Sequence, residues 1–334
     1  MTSTRGSAPT GGHRLALIGA GWISGYHLAA LERLGRTRLV AVASGSLASA
    51  ARTAAAHGGA AYPTSELERL LDEHRPDIAL VSVPPFAAVA ILERLVERGI
   101  PFLTEKPLSA TDADGPARVA AWIAARGLVA AVGYHLRGLE ALAEVRSSLA
   151  ANPAHLVSAR WLGSTPPPAW WRRESTGGGQ VIEQATHFYD LARLLAGEAT
   201  VLAAAATQEI PFVDGVDLVD ATAALLRFKS GALGSFANSR RLASSMVEFE
   251  LACAGRLITI LKLEPLQTTW TVTVDDGGPV RTLAPGRDPY EVQAEAFLDA
   301  VEVGDPGRVL SSYADALLTD RLTRAVVAAT GRHG

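Results

Sequence analysis

Residues 15–27 read LALIGAGWISGYH, an apolar run that enters Gly19-Ala20-Gly21 and continues into a segment of helical character. A glycine pair between a strand and a helix is the front end of a dinucleotide-binding turn. Gly19 permits the tight bend, Gly21 lets the backbone approach a pyrophosphate, and the helix N-terminus receives the charge. Trp22 and Ile23, the first helical residues, join them as candidate cofactor contacts. The usual third glycine is Ser24, at a position that serves packing rather than phosphate contact, so a small hydroxyl is tolerated. A glycine-rich turn of purely local origin is the competing reading.

Outward from this turn, short apolar runs alternate with Ala/Leu/Glu/Arg segments of helical period. The expected strands are Arg14–Ile18, Arg38–Ala43, Ile78–Val83, Pro101–Thr104 and Val129–Gly133. The expected helices are Ile23–Leu34, Leu47–His57, Ser65–Glu73, Ala87–Arg98 and Pro116–Arg126. Strands apolar on both faces, separated by helices, imply an α/β domain with a doubly wound parallel sheet over 14–133. After Pro153 the pattern changes to longer runs such as HLVSARWLG and SMVEFELACAG, with turn signals such as Lys229-Ser230-Gly231 between them. These imply a second, α+β domain over 134–334, built on a large, open, mostly antiparallel sheet, whose last helices are free to pack back on the first. One helix, Gln184–Leu195, interrupts early, and two more, Tyr290–Val303 and Ala314–Thr330, close the chain. Residues 1–13 are polar and rich in Gly, Pro and Ser, and read as a disordered tail.

The whole chain is consistent with that reading. Its 334 residues exceed the size at which single cores usually split. A net charge of −3 gives no reason to expect nucleic acid or an anionic membrane as partner. One cysteine, Cys253, precludes an internal disulfide, and no apolar stretch reaches the length of a membrane span, so a soluble cytoplasmic protein is expected.

The second strand, LVAVASGS, ends at Ser44, followed by Gly45 and Ser46. A carboxylate there would bind the ribose of NAD and repel the 2′-phosphate of NADP; two hydroxyls without a carboxylate favour NADP over NAD. The fourth strand ends at Val83 and Pro84, and the fifth at Glu105, Lys106 and Pro107, on the sheet edge where doubly wound folds hold ligands. All 31 basic residues except Lys106, Lys229 and Lys262 are arginine, so a lysine at that edge stands out. Lys106 could polarise a carbonyl or relay a hydroxyl proton; a surface ion pair with Glu105 is the alternative. Further on, GGGQVIEQATHFYDLARLL places Glu183, His187 and Asp190 at i, i+4 and i+7, on one face of a continuous helix. A carboxylate beside a histidine is the arrangement of a general base, although a satisfied structural histidine has the same pattern. With no convincing third ligand, no metal is expected. Trp171 and Arg172, within Trp170-Trp171-Arg172-Arg173, could line a sugar or phosphate pocket or merely pack and solvate their loop. His27 reads as packing for the first helix.

Together GAGWIS with His27, the Glu105-Lys106-Pro107 triplet, and SxGGGxxxExxxH from Ser175 to His187 resemble the Gfo/Idh/MocA oxidoreductases, in order and over nearly the whole chain. The resemblance implies a Rossmann domain followed by an open-faced α/β domain that commonly mediates homo-oligomers, here a dimer or tetramer through the C-terminal sheet. It implies catalysis by Lys106 with the pair Glu183 and His187, and a Lys106–Pro107 bond that is often cis. Where the family pattern carries Asp, Gly and Asn, this chain has Glu183, Ala185 and His135, and Val83-Pro84-Pro85-Phe86-Ala87-Ala88 replaces its TPNxxH segment. His135 thereby becomes a candidate substrate contact. The expected activity is hydride transfer between a nicotinamide and a secondary alcohol or ketone of a sugar, cyclitol or nucleotide sugar. Reduction of an imine or non-sugar ketone, and non-catalytic NADP binding, are the alternatives.

Overall fold

The computed structural model describes residues 12–207, 216–262 and 270–331. The tail expected over 1–13 lies outside them, apart from Gly12 and from His13, which opens the first strand. The chain divides into two compact units, 1–138 with 289–316, and 139–288 with 317–334.

In the first unit, six parallel strands carry the apolar runs: β1 (His13–Ile18), β2 (Thr37–Ser44), β3 (Ala60–Pro63), β4 (Ile78–Val81), β5 (Phe102–Thr104) and β6 (Ala130–Val132). They line up in the order β3-β2-β1-β4-β5-β6, the doubly wound arrangement in which β1 lies at the switch point. Five helices connect them: α1 (Trp22–Leu34), α2 (Leu47–His57), α3 (Leu67–His74), α4 (Pro85–Glu97) and α5 (Gly115–Arg126). Local chemistry starts several of these elements. Ser46 caps α2 by accepting the Ser49 amide, and Pro85 occupies the first turn of α4, where its missing N–H is no loss.

The second unit opens with α6 (Leu142–Ala151), the strand β7 (Leu156–Ser164), and the short helices α7 (Glu174–Gly177) and α8 (Gly179–Glu183) ahead of α9 (Thr186–Ala196). Then come β8 (Ala199–Thr207), β9 (Ala221–Phe228), β10 (Leu233–Ser239), β11 (Arg241–Cys253), β12 (Arg256–Lys262), β13 (Thr271–Asp275) and β14 (Arg281–Thr282). All eight strands join one sheet in the order β14-β13-β12-β11-β7-β10-β9-β8, antiparallel except between β7 and β10. One face is buried through Ala159, Leu226, Phe236, Phe249, Leu251 and Ile260. Against it α9 lays Phe188, with its ring 5.5 Å from Phe249, and Tyr189, stacked 4.6 Å from Phe236. The other face alternates outward, as period-two strands with one covered side must.

Two helices close the chain, α10 (Pro289–Val303) and α11 (Tyr313–Ala329). The whole of α10 belongs to the first unit, where Tyr290, Ala294, Phe297 and Leu298 share a core with Leu15, Leu17, Leu28 and Leu31. Each large apolar side chain so buried contributes about 1.5–3 kcal/mol. Among the described residues no helix is long and apolar enough to cross a membrane.

Candidate active site

The glycine turn sits at the carboxyl end of β1, between the ends of β2 and β4. The Gly19 amide donates to the Ala43 carbonyl at 2.7 Å. Gly19 has φ of +102°, and a Cβ there would lie 2.0 Å from the Ser82 carbonyl oxygen, so only glycine fits. Gly21 is the N-cap of α1 with no side-chain cap and no acidic residue in the first turn. A Cβ on Gly21 would meet nothing within 4 Å. The backbone at the start of α1 therefore borders open space at Gly21, as close approach of an anion requires. Buried beside this turn, the Ser82 hydroxyl has no hydrogen-bond partner among the described residues. These features fit a pyrophosphate. Ser24 is buried and its hydroxyl donates to the Gly21 carbonyl at 2.5 Å, a packing role that reinforces the turn.

Around it the other candidates of this unit fall as follows. Trp22 is 65% exposed and edge-on to Tyr26, while Ile23 is half-buried. Ser44 ends β2, and its Oγ accepts the Ser46 amide at 3.4 Å. Arg52, in the second turn of α2, donates to Ser49 Oγ at 2.9 Å, and the Ser49 amide is the one capped by Ser46. Val83 and Pro84 lie between β4 and α4, both half-buried. Lys106 follows β5 at the same sheet edge, half-buried, and its bond to Pro107 is cis. The Glu105 carboxylate is turned inward onto His27, with Nε2 and Oε1 2.7 Å apart. His135 is buried and stacked flat on Tyr290, the ring centroids 4.7 Å apart.

In the second unit the structure corrects the helix expected over Gln184–Leu195. It divides at Gln184-Ala185: α8 ends at Glu183 and α9 begins at Thr186. Glu183 and His187 thus stand on separate helices rather than on one continuous face. The cause is tertiary. Gln180 donates to the Ser239 carbonyl at 3.0 Å and the Trp161 carbonyl at 3.4 Å, and accepts from Asn238 at 3.0 Å. Pinned to the sheet, its own carbonyl receives the amides of both Gln184 and Ala185. Glu183 and His187 are both buried, and Asp190 accepts from Thr319 Oγ1 at 3.1 Å. Trp171 is buried against Trp170, and Arg172 is exposed. Among the described residues no group of three or more His, Cys, Asp and Glu side chains is placed to hold a metal ion.

Comparison with known proteins decides the family. The profile of the Gfo/Idh/MocA oxidoreductase family with an NAD-binding Rossmann fold matches residues 13–134, and that of the Gfo/Idh/MocA C-terminal domain matches 152–257. The chain belongs to the Gfo/Idh/MocA family. Its Rossmann unit is accordingly an NAD(P)-binding domain. It is 28% identical to the rhizopine catabolism protein MocA of Rhizobium meliloti, over 92% of both chains. The fold is that of KijD10, a 3-ketoreductase from Actinomadura kijaniata solved with NADP and TDP-benzene: TM-score 0.83, 22% identity, 95% of this chain and 98% of that one. It is also that of the UDP-N-acetylglucosamine 3-dehydrogenase GnnA from Acidithiobacillus ferrooxidans: TM-score 0.79, 21% identity, 95% of this chain and 97% of that one.

For two residues of this Gfo/Idh/MocA protein the sequence does not disclose the contact that the fold creates. Trp161 stacks on the His187 imidazole with centroids 6.0 Å apart and 16° between planes. It lies in a strand of period-two alternation and carries no local mark of its neighbour. His27 was readable only as packing, because its partner Glu105 is 78 positions away.

Proposed function

We propose that the protein is an NADP(H)-preferring oxidoreductase that interconverts a secondary alcohol and a ketone on a sugar, cyclitol or nucleotide-linked sugar. The observation that carries the reading is the placement of Lys106, one of three lysines in the chain, at the carboxyl end of β5, on the sheet edge that holds the glycine turn. When bound, the nicotinamide supplies or accepts the hydride. Lys106 polarises the substrate oxygen, His187 exchanges its proton, and Glu183 orients the imidazole. Gly19, Gly21 and the first turn of α1 hold the pyrophosphate. NADP is favoured because Ser44 stands where a carboxylate would repel the 2′-phosphate, and Arg52 bonds Ser49, whose amide is capped by Ser46. The nucleotide-sugar option is supported by the two similar structures, one solved with TDP-benzene and one of a UDP-N-acetylglucosamine dehydrogenase.

Oxidation of NADPH and NADH across ketosugars, inosose-type cyclitols, nucleotide ketosugars and cyclic imines tests this directly. Lys106→Ala and His187→Ala are each expected to lower turnover by about 10²–10⁴-fold while NADPH still binds. Full turnover in both variants refutes the assignment.

The uncovered face of the large sheet is the proposed homo-oligomer contact. Leu257, Ala252, Leu156 and Leu233 lie in register across four adjacent strands, and the three leucines are 37–45% exposed. An apolar row of this kind marks an interaction surface. Sedimentation of a monomer at micromolar concentration would refute it.

A further inference from the structure

The Glu105 carboxylate is buried, and its surroundings account for both oxygens. Oε1 lies 2.7 Å from His27 Nε2, and Oε2 accepts the Lys106 backbone amide at 3.2 Å. Facing a carboxylate, Nε2 is the imidazole nitrogen that carries the hydrogen. The third wall is Gly133, where a Cβ would lie 2.6 Å from Oε1. The backbone of the turn is tied down on either side, by Glu105 N–H to the Val81 carbonyl at 2.8 Å and by Gly133 N–H to the Thr104 carbonyl at 2.7 Å.

His27 is itself held. Its ring is 1% exposed and edge-on to Tyr290 at 5.0 Å, and Tyr290 is itself stacked with His135 and with Tyr26. Its Nδ1 has no hydrogen-bond partner among the described residues, so the ring's polar commitment is to Glu105 alone. A histidine that served only to pack α1 against α10 could be apolar. Burying an imidazole with one nitrogen unpaired is costly, and the structure tolerates it at the residue that fixes the turn bearing Lys106.

We infer that His27 is a positioning residue for Lys106, acting through Glu105. The inference rests on the reading of Lys106 as the polarising group. The chain runs from the first Rossmann helix to the carboxylate, from the carboxylate to the Lys106 amide, and from that amide to the direction in which the lysine leaves the backbone. It also links the helix that receives the pyrophosphate to the turn that carries the ammonium, so one helix sets both.

Two variants separate this from packing. His27→Phe keeps a buried ring and removes the donor; His27→Gln restores a donor. In the full-length protein, His27→Phe is expected to lower kcat about 10–100-fold, the cost of a reacting group misplaced by a fraction of an ångström to an ångström. KM and the NADPH dissociation constant should stay within about twofold, and His27→Gln should recover most of kcat. A second readout needs no substrate. Reductive methylation with ¹³C-formaldehyde labels the three lysines, and Lys106→Arg assigns the Lys106 dimethylamine signal. That signal should shift in His27→Phe, return in His27→Gln, and leave Lys229 unchanged. Gly133→Ala, which drives the carboxylate off its seat from the opposite side, should shift it too. A Lys106 signal identical in wild type and His27→Phe overturns the positioning role, as does a loss of NADPH affinity and Tm without a kcat effect. Full turnover by Lys106→Ala instead overturns the catalytic reading, and the methyl signal then judges the turn by itself.

Discussion

A nitrogen donor and a carboxylate are buried together in each unit of the molecule, and the two pairs are built differently. In the sheet unit, the Arg240 and Asp220 side chains are 8% and 9% exposed, 2.7 Å apart. The guanidinium also donates to the carbonyls of Val219 and Leu218 and to Thr165 Oγ1, so its planar fork is spread over four acceptors. In the Rossmann unit, His27 and Glu105 are 1% and 9% exposed, also 2.7 Å apart, but one imidazole nitrogen has no partner among the described residues and the second carboxylate oxygen goes to the backbone amide of Lys106. The first pair is saturated and closes a loop onto the sheet. The second spends part of its bonding on a residue proposed to act in chemistry. Saturated buried networks specify structure, whereas incompletely satisfied ones collect where a fold serves a site.

The largest expected effect comes from cutting the saturated pair. Burial draws the Arg240 guanidinium down from its ordinary value, against the pull of Asp220, which means that desolvation is already opposing the pair. Removing one partner leaves the other charge buried. Arg241, 3.6 Å from the same Asp220 oxygen, is too exposed to replace the fork. Arg240→Ala is therefore expected to cost about 3–5 kcal/mol of stability, read from denaturant unfolding. His27→Phe should cost far less stability and far more turnover. If Arg240→Ala lost under about 1 kcal/mol, the distinction between the two pairs would not survive.

How much of this the sequence discloses depends on whether backbone or side chains decide. The Rossmann elements were legible because apolar runs and their punctuation dictate them; α2 spans Leu47–His57 in both reading and structure. The short edge strand β3, Ala60–Pro63, was not, since four residues ending in proline carry no period. The glycine turn was legible because Gly19 answers a backbone demand that no other residue meets. The break between Glu183 and His187 was not: VIEQATHFYD contains neither glycine nor proline, and the interruption is imposed by Gln180 bonding to strands about 20 and 60 positions away. The same holds for His27 and Glu105. Chemistry that rests on contacts between distant residues leaves no spacing to read.

The smallest effect sharpens the comparison from within the sheet unit. Tyr189 lies two residues after His187, and its hydroxyl is buried without a hydrogen-bond partner among the described residues. Here, then, an unpaired polar atom again neighbours a residue proposed to act. Burial alone pushes the phenol well above its ordinary value. Tyr189→Phe keeps the stacking on Phe236 and removes an atom whose desolvation is uncompensated, so at pH 8 stability should hold or rise by about 1 kcal/mol. The sign with pH follows from proton binding. Because the folded phenol holds its proton where the unfolded one releases it, the unfolded state binds fewer protons above about pH 10. Wild-type stability thus falls through that range, by up to about 1.4 kcal/mol per pH unit from this group, and Tyr189→Phe escapes the loss. Urea unfolding of both proteins at pH 8 and pH 10.5 measures the difference, in which the other tyrosines cancel. A variant less stable than wild type by more than about 1 kcal/mol at pH 8 would mean that the hydroxyl is bonded after all, and its likeness to the unpartnered nitrogen of His27 would fall.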